Sequence, residues 1–351
     1  MSDHTAIKGL IDTLRQTRTL SDEALTLLYR TRSPETDAYL YAQADDVRRA
    51  SYGNKVYLRG LIEISNICRN DCLYCGIRRS NDQAVRYRLN LGDLLECCEH
   101  GYGLGFRTFV LQGGEDGFFS DEVLVEWVRT LAARFPDCAL TLSLGERSRE
   151  SYEKLYEAGA RRYLLRHETA TDAHYKRLHP PEMSLAHRLQ CLADLKDIGY
   201  QTGCGIMVGS PYQTWDNLLA DLRYMQALDP QMVGLGPFIP AAHTPFAEAS
   251  AGSLEDTLWM LAVVRLMLPH VLLPATTALA TLSPEGREAG LRAGANVLMP
   301  NLSPMSVRKK YSLYDNKATL DGEAAENVAA LSRWLRGIGY EAVVDRGDFK
   351  S

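Results

Sequence analysis

The sequence predicts an α/β fold, a complete (β/α)8 barrel of the TIM type with an N-terminal helical extension. Eight short apolar segments fall within residues 57–337, about 35 residues apart, which is the length of one βα unit. They are rich in Val, Ile and Leu and alternate little, as parallel strands covered by helices do. No Pro- or Ser-rich linker divides the chain. We therefore expect a helical extension over residues 1–55 and one barrel over residues 56–351.

Local sequence places the elements in order. The first 50 residues have a helical pattern, and Ser21 before Asp22 and Glu23 is a typical N-cap. The predicted strands are residues 57–65, 108–112, 139–144, 163–166, 205–208, 233–237, 272–276 and 297–300. Helices are predicted after most of them, for example over residues 93–104, 121–135, 185–198, 214–228 and 254–268.

Composition excludes several classes of protein. With 39 Lys and Arg against 44 Asp and Glu, the net charge of −5 gives no reason to expect nucleic acid or an anionic membrane as a partner. The most apolar stretch, residues 258–274, is interrupted by Arg265, Pro269 and His270, and is too short to span a bilayer. Residues 1–15 show no secretory signal, so we expect a cytoplasmic protein. Clustered cysteines there indicate metal or redox centres before disulfides.

Barrel geometry narrows the search for a site, because functional residues of this fold lie where the strands end at the C-terminal mouth. Polar residues follow the predicted strands at these ends. They are Asn66, the run from Gly113 to Asp116, the run from Arg166 to Glu168, Ser210, Thr276, Thr277 and Asn301. This convergence predicts a site at the mouth.

Three of the eight cysteines lie close together after the first strand, at Cys68, Cys72 and Cys75. A structural zinc ion needs four ligands, and the next cysteines, at 97 and 98, fall in a predicted helix. Three thiolates instead suit an iron–sulfur cubane with one iron left open. The spacing, with Tyr74 before the last cysteine, resembles the signature of radical S-adenosylmethionine (SAM) enzymes. A zinc site or unrelated thiols remain the alternative.

Several motifs are similar to a narrower family, the HydE maturases of FeFe-hydrogenase. They are EISNICRNDCLYCG at 63–76, LQGGED at 111–116, TLSLGE at 141–146, RYLLRHETA at 162–170, GLGPFIP at 234–240 and PATTA at 274–278. The resemblance spans about residues 25–314. It implies a large cavity inside the barrel, one 4Fe-4S cluster and SAM. It also implies a 5′-deoxyadenosyl radical that attacks the cysteine sulfur of an iron–cysteine carbonyl cyanide complex. HydG and HydF would be transient partners, and flavodoxin or ferredoxin the reductant.

Carried across motif by motif, the resemblance implies that the three clustered cysteines ligate the cluster. The residues implied around SAM are Gln112, Glu115, Thr141, Glu168, Arg188 and Met232, with Glu168 on the ribose hydroxyls and Arg188 on the carboxylate. The residues implied around the substrate are Arg162, Arg166, Thr276, Thr277, Met299, Tyr311 and Tyr314, with Tyr74 close to SAM. An arginine fork suits a carboxylate, and arginines with threonines in an apolar barrel suit an anionic ligand.

Other interpretations of these residues stay open. Arg188 falls in a predicted helix and could be a surface charge, and Met232 and Met299 could be core residues. Tyr311 and Tyr314 could form one packing face of a helix. His167 lies between two interior candidates and is expected to be a core histidine, because neighbouring residues of a strand face opposite ways.

The sequence departs from the family at one point. Some members carry a second cluster on three cysteines near the C-terminal end of the barrel, whereas residues 311–327 contain no cysteine here. We therefore expect no accessory cluster, and packing roles for Cys97, Cys98, Cys138, Cys191 and Cys204. The competing hypotheses are a methylornithine synthase-like mutase, a biotin synthase-like enzyme, which would need further cysteines, and a non-catalytic zinc-binding barrel.

Overall fold

Three helices precede the barrel: α1 (Asp3–Thr17), α2 (Asp22–Arg30) and α3 (Pro34–Tyr52). The computed structural model describes residues 3–315 and 327–350. The predicted cap of α2 is present, because the Ser21 hydroxyl accepts a hydrogen bond from the Ala24 N–H at 3.2 Å. α1 and α3 pack on the barrel helix α10 (Leu254–Met267). The domain division at residue 55 remains a prediction.

Parallel strands form the barrel wall. They are β1 (Lys55–Leu58), β2 (Gly60–Ser65), β3 (Thr108–Gly113), β4 (Ala139–Ser143), β5 (Arg162–Leu164), β6 (Gln201–Val208), β7 (Met232–Pro237) and β8 (Val297–Leu298), with β9 (Glu341–Val343) outside the wall. β2 to β7 pair in sequence order, and β1 pairs with β8 and β9. The order confirms the predicted parallel α/β architecture.

Isolated bridges connect the two ends of the six-stranded sheet. Leu272 bridges Met232 of β7, Pro274 bridges Val297 of β8, and Asn301 bridges Leu61 of β2. Eight parallel segments thus form a ring. The strand predicted at 272–276 is wrong in extent, because Pro274 has no N–H to donate and only single bridges form there.

The strand predicted over 57–65 is divided into β1 and β2. β1 pairs with β9 on its outer side, whereas β2 pairs with β3, so the chain changes neighbours at the break. Gly60 lies there, and a Cβ on it would come within 2.1 Å of the Leu302 side chain. Close packing against that side chain therefore requires glycine.

Helices cover the outside of the ring. They are α4 (Leu91–Gly103), α5 (Asp121–Arg134), α6 (Arg149–Ala158), α7 (Asp172–Leu178), α8 (Leu185–Ile198), α9 (Trp215–Leu228), α10, α11 (Thr277–Leu282), α12 (Gly286–Arg292), α13 (Met305–Arg308) and α14 (Val328–Gly337). Within the described residues, none of the helices is long and apolar enough to cross a membrane.

The C-terminal segment after β9 closes the N-terminal end of the barrel. Arg162, at the start of β5, donates to the Asp348 carboxylate at 2.6 Å and to the Arg346 carbonyl at 2.9 Å. Phe349 packs on a small cluster that contains Tyr52 and Tyr57. The sequence pattern did not predict this return of the chain.

Candidate functional site

A cavity of about 360 Å³ opens at the C-terminal mouth of the barrel. Such a volume is typical of small-molecule sites. Its wall includes most of the predicted site residues: Cys68, Cys72, Tyr74, Cys75, Gln112, Glu115, Arg166, Glu168, Arg188, Thr276, Thr277, Met299, Tyr311 and Tyr314. Residues from six or more distant parts of the chain thus meet in one place.

The three cysteines lie on the irregular segment between β2 and α4, and all are free, partly buried thiols. One arginine organises this segment. The Arg86 guanidinium donates to four backbone carbonyls, those of Asn66, Ile77, Arg78 and Asn81, at 2.6 to 2.9 Å. Sequence reasoning missed Arg86, because its partners are main-chain atoms that no residue pattern reveals.

The three thiols are chemically suited to hold an iron–sulfur cluster. Burial raises the pKa of Cys75 to about 12 and raises the pKa values of Cys68 and Cys72. All three would therefore lose protons as they take up a metal centre. Among the residues that the structure describes, no three His, Cys, Asp or Glu side chains form a converged metal site. The thiols share one wall of the cavity without meeting at a point.

Glu115 follows β3 and is fixed beside the cysteine segment. Its carboxylate accepts from the Glu146 N–H at 2.9 Å and from Arg69 at 2.9 Å. Gly114 allows this approach, because a Cβ there would lie 2.3 Å from the Ile67 carbonyl oxygen and 2.7 Å from the Cys68 Cβ. The Gly-Gly-Glu turn therefore needs its second glycine for contact with the cysteine segment.

Arg188 is buried on α8 and faces the cavity, which excludes the alternative of a surface charge. It pairs with the Glu146 carboxylate and donates to the Arg166 carbonyl at 2.7 Å. Arg166 in turn donates to Glu168 at 2.9 Å. These contacts join the ends of β4 and β5 on one side of the cavity, and they show Glu146 as a partner that sequence reasoning had not singled out.

Tyr74 is held by a histidine from the end of α7. The His179 Nδ1 lies 3.0 Å from the Tyr175 carbonyl oxygen, which can only accept, so Nδ1 donates and Nε2 accepts from the Tyr74 hydroxyl at 3.2 Å. Burial lowers the pKa of His179 to about 3. The neutral imidazole therefore fixes the ring of Tyr74 next to the cysteines.

Thr276 and Thr277 line the cavity after the bridged segment 272–274, and Met299, Tyr311 and Tyr314 line it after β8. The chain after β8 lies next to the cysteine segment, because the Gly76 N–H donates to the Leu313 carbonyl at 2.9 Å. Thr276 has a buried hydroxyl without a hydrogen-bond partner among the described residues. Tyr311 and Tyr314 follow α13 on irregular chain and both line the cavity, so the alternative of one helical packing face is wrong. Met299 also lines it. An unpartnered hydroxyl in an otherwise largely apolar wall suits a bound polar ligand.

Three predicted residues do not line the cavity, and their expected placement is corrected. Arg162 lies at the opposite end of the barrel, because its strand begins there and Asp348 binds it. Thr141 lies two residues before Ser143 on β4, one step deeper, and Ser143 lines the wall in its place. Met232 begins β7 and packs in the core with Tyr57, which agrees with the alternative interpretation of Met232 as a core residue.

Ser143 lines the cavity but gave only a weak signal in the sequence. It could have been found from the period of two along β4. Arg59 is buried outside the cavity wall and donates to the Met232 sulfur at 3.1 Å, while two of its nitrogens have no partner among the described residues. His167 is a buried core residue, as expected. The five remaining cysteines are buried as well.

Comparison with known proteins identifies the family to which the chain belongs. The profile of the radical SAM superfamily matches residues 62–225. The "[FeFe] hydrogenase maturase subunit HydE" of Thermotoga maritima is 45% identical over 311 residues, which cover 89% of this chain and 88% of that protein. The chain belongs to the HydE family of radical SAM enzymes.

More distant relatives share the fold of the family. The 3-methylornithine synthase of Methanosarcina acetivorans is 29% identical over 92% of this chain and 90% of its own. The crystal structure of methylornithine synthase (PylB) superposes with a TM-score of 0.85 at 28% identity, over 95% of this chain and 97% of that one. A crystal structure of HydG, at 20% identity and a TM-score of 0.81, covers 97% of this chain and 76% of its own, and shares the fold alone. Membership in the family implies a 4Fe-4S cluster and SAM.

Proposed function

We propose that this HydE-family enzyme matures FeFe-hydrogenase, with an iron–cysteine carbonyl cyanide complex as its substrate. The supporting observation is the cavity, which is lined together by the cysteine segment, the Glu115 turn, the Arg166–Glu168 strand end, Thr276 and Tyr314. A 4Fe-4S cluster with bound SAM would, once reduced, supply a 5′-deoxyadenosyl radical for chemistry at the cysteine sulfur of the complex.

Different residues that line the cavity would hold the cluster, SAM and the substrate. Cys68, Cys72 and Cys75 would hold the cluster. Gln112, Glu115, Glu168 and Arg188 would bind SAM, with Glu115 toward its ammonium group and Arg188 toward its carboxylate. Arg188 suits this role because Glu146 and the Arg166 carbonyl already fix its guanidinium.

Residues after the segment 272–274 and after β8 would orient the substrate. Thr276 offers an unpartnered hydroxyl, and Thr277, Met299, Tyr311 and Tyr314 line the same cavity. The Arg166 Nε also lacks a partner among the described residues, so the guanidinium has a donor left for an anionic group.

The deciding experiment combines anaerobically reconstituted protein with SAM and dithionite, with and without the iron–cysteine complex. We expect 5′-deoxyadenosine without the complex, and consumption of the complex when it is present. Deoxyadenosine without consumption of the complex would contradict the maturase proposal and leave radical SAM chemistry intact.

Cys72→Ala tests the cluster ligands. The variant should lose the iron–sulfur absorbance and at least 100-fold of the SAM cleavage rate, because two thiolates do not hold a cubane with one open iron. Cys138→Ala is the matched control, since Cys138 is a buried thiol outside the cavity. SAM cleavage that persists in Cys72→Ala would overturn the ligand assignment.

A single cluster is part of the proposal. Residues 311–327 contain no cysteine, although residues 316–326 lie outside the described part of the chain. We expect about four iron atoms per chain after reconstitution. Markedly more iron, bound in stoichiometric amount, would contradict a single cluster.

The proposed partners follow from the reaction. HydG would deliver the complex, HydF would receive the product, and flavodoxin or ferredoxin would reduce the cluster. We propose that the protein acts in the reducing cytoplasm, where free thiols such as its eight cysteines are the usual state.

An amino-acid mutase of the methylornithine synthase type is the second candidate. The likeness to methylornithine synthase over 95% of this chain favours it. Lysine supplied in place of the iron–cysteine complex distinguishes the two, because a mutase would rearrange lysine with SAM and reductant alone.

A further inference from the structure

The turn between β5 and α7 holds a residue in an uncommon backbone conformation. Glu168 has a φ of 65°, in the left-handed region that non-glycine residues rarely adopt. Its carboxylate nevertheless lines the cavity, beside Arg166. Such a conformation persists only where the surroundings enforce it, and it is found most often at functional sites. The contacts of the turn therefore show what holds Glu168.

The outer helix α9 anchors the turn after Glu168. The Asp221 Oδ1 accepts from the Ala170 N–H at 2.5 Å. One helical turn earlier, the Asn217 side-chain amide donates to the Thr171 hydroxyl at 2.7 Å. The chain that leaves Glu168 is thus bound to α9 at two successive residues.

The same carboxylate also faces the residue before Glu168. The Gly205 N–H donates to His167 Nδ1 at 3.3 Å, so Nδ1 is the acceptor and the ring hydrogen lies on Nε2. His167 Nε2 lies 3.4 Å from Asp221 Oδ1. One oxygen of Asp221 therefore faces groups on both sides of Glu168.

Asp221 is fully buried, which is costly for a carboxyl group. Burial raises its pKa, and its second oxygen, Oδ2, has no hydrogen-bond partner among the described residues. An apolar residue would fill the space at less cost if packing were its only role. The contacts of the buried carboxyl with the turn on both sides of Glu168 are what an apolar residue could not supply.

We propose that Asp221 is a positioning residue that holds the β5–α7 turn so that Glu168 presents its carboxylate to the ribose of SAM. This proposal rests on the SAM site of the proposed function. Asp221 touches neither the cavity nor the reacting groups, and it acts through His167 and Ala170.

A double-mutant cycle tests the proposal, with equilibrium dialysis of SAM against anaerobically reconstituted protein as the measurement. Asp221→Ala should weaken SAM binding at least 10-fold in the wild-type background. In the Glu168→Ala background the same change should weaken it less than 2-fold, because the group that Asp221 positions is already gone. Asp221→Asn should stay within 3-fold of wild type, since it keeps the oxygen that the turn uses.

Equal weakening by Asp221→Ala in both backgrounds, or no weakening in either, would overturn the proposal. Asn296→Ala is the control for general loss of stability, because Asn296 is a fully buried polar residue that accepts from the Leu273 N–H away from the cavity. It should lower the melting temperature and leave SAM affinity unchanged. If Asp221→Ala does not fold, Asp221→Ser replaces it, since the shorter side chain cannot reach Ala170.

The cycle also separates this proposal from the proposed function. Failure of the wild-type protein to bind SAM would contradict the function itself. SAM binding that is insensitive to Glu168→Ala would overturn the positioning role, while leaving radical SAM chemistry in place.

Discussion

His179 illustrates how a single buried side chain links the site to solution conditions. Its pKa falls from an ordinary value of 6.5 to about 3, chiefly through burial. Between these two values the unfolded chain takes up a proton that the folded protein does not. Folding therefore becomes less favourable as the pH falls below about 6.5, and this residue contributes its full stability only above that pH.

His179→Gln should remove this dependence. The unfolding free energy of the wild type should fall relative to that of the variant by about 1 kcal/mol for each pH unit between 6 and 4. Urea unfolding at pH 7, 6, 5 and 4 measures it. His100→Gln is the control, because His100 is exposed on α4. Parallel pH profiles for wild type and His179→Gln would show that His179 is not neutral in the folded state.

At the scale of elements, the contact between two loops constrains the position of the cysteine segment. The turn after β3 passes so close to it that Gly114 has no room for a side chain. Gly117 lies in the same connection, and a Cβ there would meet nothing within 4 Å. The two glycines thus provide a matched pair.

Gly114→Ala should displace the Cys68 backbone and weaken the cluster site. We expect at least a fivefold loss of iron retained after gel filtration, because the added methyl group overlaps the Ile67 carbonyl oxygen at 2.3 Å. Gly117→Ala should retain iron as the wild type does. Equal retention by the two variants would mean that the turn does not constrain the cysteines.

At the scale of the whole molecule, the last residues of the chain close the end of the barrel opposite the site. Asp348 binds Arg162, which is otherwise a fully buried cation. Burial raises the pKa of the Asp348 carboxyl, but the hydrogen bonds and charges of Arg162 and Arg346 outweigh burial and hold this pKa below its usual value. A depressed carboxyl pKa stabilises the fold above about pH 3.8, and the contribution is lost as the pH falls through the folded pKa.

Asp348→Asn should therefore lower the melting temperature by about 2–4 °C at pH 7, since it leaves Arg162 without its carboxylate. The difference from wild type should stay constant down to about pH 3.8 and shrink only as the pH falls below that value. Differential scanning calorimetry measures both effects, with Glu341→Gln as an exposed control on β9. An unchanged melting temperature at pH 7 would show that the segment does not stabilise the barrel end.

Much of this architecture follows from local sequence. The period of about 35 residues predicts the βα units, and polar residues after each strand predict the mouth of the cavity. The motif around Cys68, Cys72 and Cys75 indicates the chemistry because the proposed cluster ligands lie within eight residues of one another. Residues that act from one segment are therefore visible in the sequence.

Only the tertiary structure decided the contacts that join distant segments. Arg162 starts β5 and Arg166 follows the end of the same strand. Arg162 binds the C-terminal segment, whereas Arg166 lines the cavity. The two arginines differ in their position along the barrel axis, and no local residue pattern predicts that position. Arg86, Glu146 and Asp221 act on backbone or side chains far along the chain, so their roles depend on the closed barrel.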